Sequence, residues 1–257
     1  MTDPIFVRTR HIYESYADLW ELVDLAGFPT VYVDEIDPAS DNTYILIVRN
    51  GEWPEGGWAG QRARFIHWHC EYHVDYEPVP GIELWSPDAW HAEKIGGRYV
   101  PMGGDARLAH GPDTRHAEYD VAYLGYMVNR RSDVLSGLAQ RGVRVSPTSA
   151  WGDERHKVLR HSTAYLHVHQ EGSAPAIPAL RMVVAAAYSL PVISERPAAR
   201  GVFHDGYMLT SDHAHLAEFA YMWSVKERGA FLQSFGDSLH SLLCRELTFR
   251  KSVEAAL

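Results

Sequence analysis

The chain has 257 residues, 46% hydrophobic and 22% charged, a globular composition that excludes disorder and fibrous repeats and is long enough for one large domain or two compact ones. Its net charge of −9 is uneven: residues 1–93 hold 5 basic and 17 acidic side chains, residues 94–160 hold 11 and 7, and residues 161–257 hold 8 and 9, so a basic middle in an acidic protein points to a local anion site and not to a protein that coats nucleic acid. Neither Cys70 nor Cys244 sits in a C-x-x-C pair, the start MTDPIFVRTR has no signal-peptide h-region, and the longest apolar run, Met182 to Leu190, is too short to span a bilayer, so zinc-finger, redox-pair and membrane-spanning classes fall away and a cytoplasmic protein is expected.

No solenoid repeat is present; short β-branched runs alternate with helical stretches, the pattern of parallel α/β structure. Ile5 to Arg8 reads as a strand. A helix is expected from about Ile12 to Ala26, with Tyr13, Tyr16, Leu19, Trp20, Val23 and Leu25 as its apolar stripe and Gly27 as its stop. Strands follow at Thr30 to Asp34, Thr43 to Val48, Arg64 to His69 and Gly81 to Leu84. Ser86-Pro87 reads as an N-cap and first helical residue. A last strand covers Arg98 to Pro101, and the aperiodic polar run 105–117 reads as a linker between domains at 1–110 and 118–257.

Tyr119 to Leu124 reads as a strand leading into Gly125, then a helix from about Ser132 to Arg141 stopped by Gly142, a strand at Val143 to Val145 and a short helix from about Asp153 to Arg160. Ala164 to Val168 is a strand, Pro178 to Ser189 a buried helix with Pro178 at its first position, and Pro191 to Ser194 and Tyr207 to Leu209 are strands. Helices at Asp212 to Met222 and Ser224 to Glu254, the latter broken near Gly236, close the chain. This order predicts right-handed crossovers and a sheet covered on both faces.

Ligands of open parallel sheets sit beyond the carboxyl ends of the strands, which selects the loops that could carry chemistry. Gly125 to Arg131 (GYMVNRR) follows a strand and precedes a helix: a glycine for close approach, a helix start and the pair Arg130 and Arg131 suit a diphosphate, with a solvated arginine pair as the alternative. It contains no G-x-G-x-x-G and no G-K-[ST], so neither a dinucleotide fingerprint nor a P-loop is supported. In YLHVHQE, His167 and His169 share a face and His169 lies nearest the carboxyl end, as a ligand contact or a hydrogen-bonded structural residue. Arg181 opens an apolar helix and needs a partner, either a phosphate or Glu195, which closes the next strand and could instead accept ribose hydroxyls. In HWHCEYH, alternation gives His67, His69, Glu71 and His73 one face, but alternate residues on a strand stand about 6–7 Å apart, so the four cannot close on one ion and no metal site is expected. His69 and Glu71 are catalytic or sugar-contacting candidates, with packing as the default.

The second half resembles the nucleotide-binding domain of GT-B glycosyltransferases, in particular the group-1 transferases and their spore-maturation-like relatives. The stretches DVAYLGYMVNRRSDVLSGLAQRGVRV, AYLHVHQ with ALRMVVAAAYSLPVISE, and ELTFRKSVEAAL carry the likeness in order and spacing, and ELWSPDAWHAEKIGGRYVPMGGDARL resembles the end of the acceptor domain. The resemblance implies an α/β fold of two Rossmann-like domains facing one another, with the C-terminal helix packing back toward the first. It implies a metal-independent hexosyltransferase-like enzyme without cofactor, using a nucleotide-sugar donor, a UDP-sugar by expectation. Arg130 or Arg131, with Arg181, would neutralise the diphosphate, and Gly125 would allow its close approach. The loop Ser146 to Trp151 would meet the base, with His169 and Glu195 also on the donor side. The acceptor is open among a polysaccharide, a small molecule and a hydroxymethylated DNA base. Trp53, Trp58, Trp68 and Trp85 could stack on a sugar or base or pack in the core. Two positions depart from the family: Val184 stands three residues after Arg181, where an acid follows on the same helix in group-1 transferases, and Ser189 stands where they carry glycine. These departures leave a non-catalytic sugar- or nucleotide-binding descendant as the alternative.

Overall fold

The computed structural model describes residues 3–8, 16–47, 58–70, 79–110, 117–128, 130–147, 150, 152–170, 177–197, 202, 206–227 and 229–257. The first half forms a parallel sheet of β1 (Ile5–Arg8), β2 (Thr30–Tyr32), β3 (Thr43–Leu46), β4 (Arg64–Trp68), β5 (Ile82–Ser86) and β6 (Arg98–Tyr99) in the order β2-β1-β3-β4-β5-β6. Its register sets Phe6 beside Ile45 and Ile45 beside Ile66, while Val7 meets Leu46 and Tyr44 meets Phe65. Because side chains alternate across a strand, the first set joins the main core and the second packs with Trp58 on the opposite face. Both faces are therefore dry, as an all-parallel sheet requires. α1 (Ala17–Ala26) buries Leu19, Trp20, Leu22 and Val23 and stops where Gly27 turns to φ 73.

The second sheet is also parallel, in the order β7 (Tyr165–His167), β8 (Val192–Glu195) and β9 (Met208–Ser211). The expected strands at 119–124 and 143–145 hold their places through bridges of Val121 to Val145 and Ala122 to Tyr165, without forming longer ladders. Its helices are α3 (Arg130–Gln140), α4 (Gly152–Arg160), α5 (Ala179–Ala187), α6 (Leu216–Tyr221), α7 (Ala230–Ser241) and α8 (Phe249–Ala256); α2 (Ala89–Ile95) belongs to the first half. α5 buries seven of its nine residues, so it is apolar nearly all round and can only be an internal helix. No helix among the described residues is long and apolar enough to cross a membrane.

α8 does pack back on the first half. Phe249 stacks with Trp68 at 5.7 Å and meets Phe6 at 5.8 Å and Phe28 at 6.3 Å. Fully burying such a ring stabilises by about 1.5–3 kcal/mol. Arg250 lies over Phe28 and pairs with Asp3 at 2.8 Å, and Arg98 donates to the Ala256 carbonyl.

Three local expectations are corrected. Ser86 completes β5, and Asp88 caps α2 by accepting from the His91 N–H at 2.9 Å. Pro178 is the N-cap of α5 and not its first helical residue. α7 runs through Gly236 unbroken; a Cβ there would lie 2.1 Å from the Ser189 carbonyl, so the glycine marks where α7 presses on the α5–β8 turn. The breaks fall on either side of Gly236, before α7, whose N-cap is Gly229, and at Leu247-Thr248, where Thr248 caps α8.

Candidate active site

The second sheet reverses its winding between the 119–124 segment and β7, and such a switch point opens a crevice beyond the carboxyl ends of the strands. Gly125 stands at one lip and His169 at the other. Arg131, in the first turn of α3, is buried and donates from Nε to the Val168 carbonyl at 3.1 Å. Burial, and the Arg181 charge beside it, hold its pKa below the ordinary arginine value. Arg181 comes from the first turn of α5, lies beside Tyr165 and reaches Gly125, where a Cβ would stand 3.6 Å from its Nη1. Tyr123 and Tyr165 both feel Arg131 and Arg181, and burial raises the pKa of each phenol. Two guanidinium groups thus converge on neutral oxygens beside the glycine. Among the described residues neither has a carboxylate in ion-pair contact.

Arg130 is engaged differently. Its two terminal nitrogens grip Glu195 at 2.7 and 2.6 Å, and the His169 N–H donates to the same carboxylate at 3.1 Å. The Arg181–Glu195 pair weighed from sequence is therefore replaced by Arg130–Glu195. This pair cancels its own charge, so the positive field of the crevice comes from Arg131 and Arg181. The His169 ring is also occupied. Its Nε2 lies 3.2 Å from the Arg196 carbonyl, which requires a donor N–H there, and its Nδ1 then accepts from His167 Nε2 at 3.3 Å. His169 shapes this loop through its backbone and its ring together. Trp151 and Glu71 lie outside the described residues, as do His73 and Trp53.

Arg155 on α4 was not singled out from sequence. It is buried beside Tyr165 and Arg181, forms an ion pair with Asp18 of α1, and burial pushes its pKa down to about 10. In GDERHKVLR it reads as one of several charges on a solvated helix. Its burial depends on a partner that arrives from the other half of the chain.

At the carboxyl ends of β4 and β5, the buried His69 ring lies 4.9 Å from that of His91 and 5.1 Å from that of His67. Ser86 Oγ lies 3.0 Å from His91 Nδ1. Trp68 and Trp85 are wholly buried at 6.0 Å edge to face, and Trp58 stacks on Phe65 at 4.1 Å, so these three indoles are core residues and not stacking platforms. Burial, reinforced by His69 and Lys94, pushes the His91 pKa down to about 3. The unfolded chain takes up this proton below about 6.5 while the folded chain refuses it. Stability therefore falls as pH drops from about 6.5 toward 3, by at most about 1.4 kcal/mol per pH unit from this ring. Urea unfolding at pH 7 and pH 5 is expected to show a smaller loss for His91→Gln than for the unaltered chain; equal losses would remove His91 as the cause.

No family model and no curated protein matches the chain. Solved structures do match it. AviGT4, a glycosyltransferase involved in avilamycin A biosynthesis, aligns at TM-score 0.65 and 12% identity over 99% of this chain and 96% of its own. The DNA-modifying enzyme β-glucosyltransferase, solved with and without uridine diphosphoglucose, aligns at 0.57 and 11% over 98% and 96%. A glycosyltransferase from Rickettsia africae aligns at 0.57 and 8% over 98% and 97%. The chain has the GT-B fold. The likeness runs through both halves and nearly the whole length of each neighbour, beyond the second half that carried most of the sequence resemblance. In this GT-B chain the Val202 N–H, beyond β8, donates to Tyr99 Oη at the end of β6 at 3.3 Å, joining the carboxyl ends of the two sheets. The two departures noted in the sequence have clear settings. Val184 is buried within α5, and Ser189 takes φ 50, the left-handed conformation that a glycine adopts without strain.

Proposed function

We propose that the chain is a glycosyltransferase that moves a sugar from a nucleotide-sugar donor, a UDP-sugar, to a hydroxyl acceptor. The observation that carries this reading is the convergence of Arg131 and Arg181 beside Gly125 at the switch point of the second sheet. Two cations with neutral partners in a low-dielectric crevice suit a pyrophosphate, and they would stabilise the charge that develops on the departing nucleoside diphosphate without a metal at that step. Gly125 gives the phosphates close approach. Glu195, held by Arg130, and the His169 loop would form the floor of the donor pocket, with Trp151 toward the base. Residues 118–257 would form this donor side and residues 1–110 the acceptor side. His69 or Glu71 is the group proposed to receive the acceptor proton.

The GT-B neighbours support the reaction class, and one of them is a DNA-modifying enzyme with uridine diphosphoglucose as substrate. A hydroxymethylated base therefore stands beside a polysaccharide and a small molecule as acceptor. The net charge of −12 over residues 1–93 weighs against broad backbone contact with nucleic acid.

Isothermal titration with UDP-, GDP-, ADP- and dTDP-sugars tests the reading. Saturable binding of one donor class is expected, together with release of free nucleoside diphosphate when an acceptor is present. A folded chain that binds none of them would end the proposal. Val184 in place of the family's acid favours one second reading, a donor-binding descendant without turnover. Binding with no diphosphate release across polysaccharide, small-molecule and hydroxymethylated-DNA acceptors would select it.

A further inference from the structure

A second polar cluster lies where the two halves meet, one residue along α4 from the Arg155 that stands beside Arg181. Glu21 comes from α1, His110 from the segment that leaves the first half, and His156 from α4 of the second half. One donor atom from each lies within 4.8 Å of one from each of the others. We propose that Glu21, His110 and His156 bind a divalent transition-metal ion of the zinc type, clamping the first half to the second at the root of the cleft.

The donor set is two imidazole nitrogens and one carboxylate, which suits zinc better than magnesium or calcium, whose preference is for oxygen. His156 is already oriented from behind. Its Nδ1 lies 2.6 Å from Tyr188 Oη, and the same hydroxyl accepts the His110 backbone N–H at 3.0 Å. When Nδ1–H donates to the tyrosine oxygen, Nε2 is left with its lone pair facing the cluster, the outer-shell arrangement that metal-binding histidines use. Asp18 Oδ1 stands 3.4 Å from His156 Nε2, so a second carboxylate borders the site although it is shared with Arg155.

The route in is open. The His110 and Glu21 side chains are 40% and 29% exposed, whereas His156 is buried, so an ion would arrive from solvent and meet the fixed ligand last. At present His110 Nε2 is hydrogen-bonded to Glu21 and its ring stacks on that of His156 at 4.2 Å, 5° from parallel. An ion cannot lie in the plane of two stacked rings at once. Binding must therefore exchange the His110–Glu21 hydrogen bond for two metal bonds and turn the exposed His110 ring out of the stack, a motion confined to a half-exposed side chain.

The test uses the full chain stripped with EDTA and titrated with cobalt(II), whose visible absorption reports four- or five-coordinate nitrogen and oxygen ligation, followed by competition with zinc. One ion per chain is expected, displaced by zinc and absent in His110→Ala, a half-exposed position whose variant is checked for folding by circular dichroism. Tyr188→Phe is expected to bind about tenfold more weakly through loss of the outer-shell bond. His215→Ala, at the exposed His215–Asp212 pair, controls for adventitious surface binding and should match the unaltered chain. Failure of cobalt to bind, or equal binding by His110→Ala, overturns the proposal. Donor titrations run in EDTA report on the transferase reading separately.

Discussion

Arg181→Ala is expected to weaken donor binding by roughly 10- to 150-fold, the loss of one or two charge-assisted hydrogen bonds worth about 1.5–3 kcal/mol. If the transition state gathers more charge on the pyrophosphate than the ground state does, kcat should also fall by about 10²- to 10³-fold. The structure makes this more specific than a general loss of positive charge. Arg181 reaches Gly125 with a phenol and not a carboxylate for company, so removing it strands no buried acid. Arg130→Ala should behave differently. It leaves Glu195, largely buried and held by two hydrogen bonds from that arginine, as an uncompensated negative charge beside the incoming phosphates. Its effect should be largely relieved by the double change Arg130→Ala with Glu195→Gln, whereas Arg181→Ala should gain nothing from Glu195→Gln. Calorimetry with the preferred donor reads all four proteins. Unchanged affinity in Arg181→Ala removes that residue from the site, and rescue of it by Glu195→Gln would show that the two arginines had been assigned the wrong way round.

What the sequence disclosed and what it hid follow from the range of the interactions involved. α5 was legible because a helix apolar on nearly every side can only be internal, and Gly27 and Gly142 marked helix ends through their left-handed conformation, a local property. Gly236 was misread by the same local logic. A glycine inside a helix looks like a break when the backbone it admits comes from an α5–β8 turn more than forty residues earlier. The placement of Gly125 at a strand end, with Arg131 and Arg181 close by, could be read from element order and the switch-point rule. The partner of Glu195 could not. Arg130 and Arg181 are both near enough in the pattern, and only side-chain geometry gives the bidentate grip to Arg130. Arg155 and the Glu21–His110–His156 cluster were invisible because each is assembled from the two halves, and no spacing in one segment reports a partner in the other.

Asp18→Ala is expected to cost about 3–5 kcal/mol of stability, since it leaves the Arg155 guanidinium buried without its counter-ion. This is the usual asymmetry of a buried ion pair: the intact pair contributes little, because desolvation offsets the attraction, but the broken pair exposes the whole desolvation cost. The double replacement Asp18→Leu with Arg155→Met should therefore recover much of the loss in urea unfolding. Yet stability and function should part company here. Arg155 also lies beside Tyr165 and Arg181, so the double variant, though folded, changes the positive field around the phenol that both arginines influence. It should bind the donor more weakly than the unaltered chain by several-fold, and less severely than Arg181→Ala, because Arg155 carries its own counter-charge and Arg181 does not. A double variant that stays as unstable as Asp18→Ala would mean that the junction is held by packing around α1 and α4 and not by this charge pair.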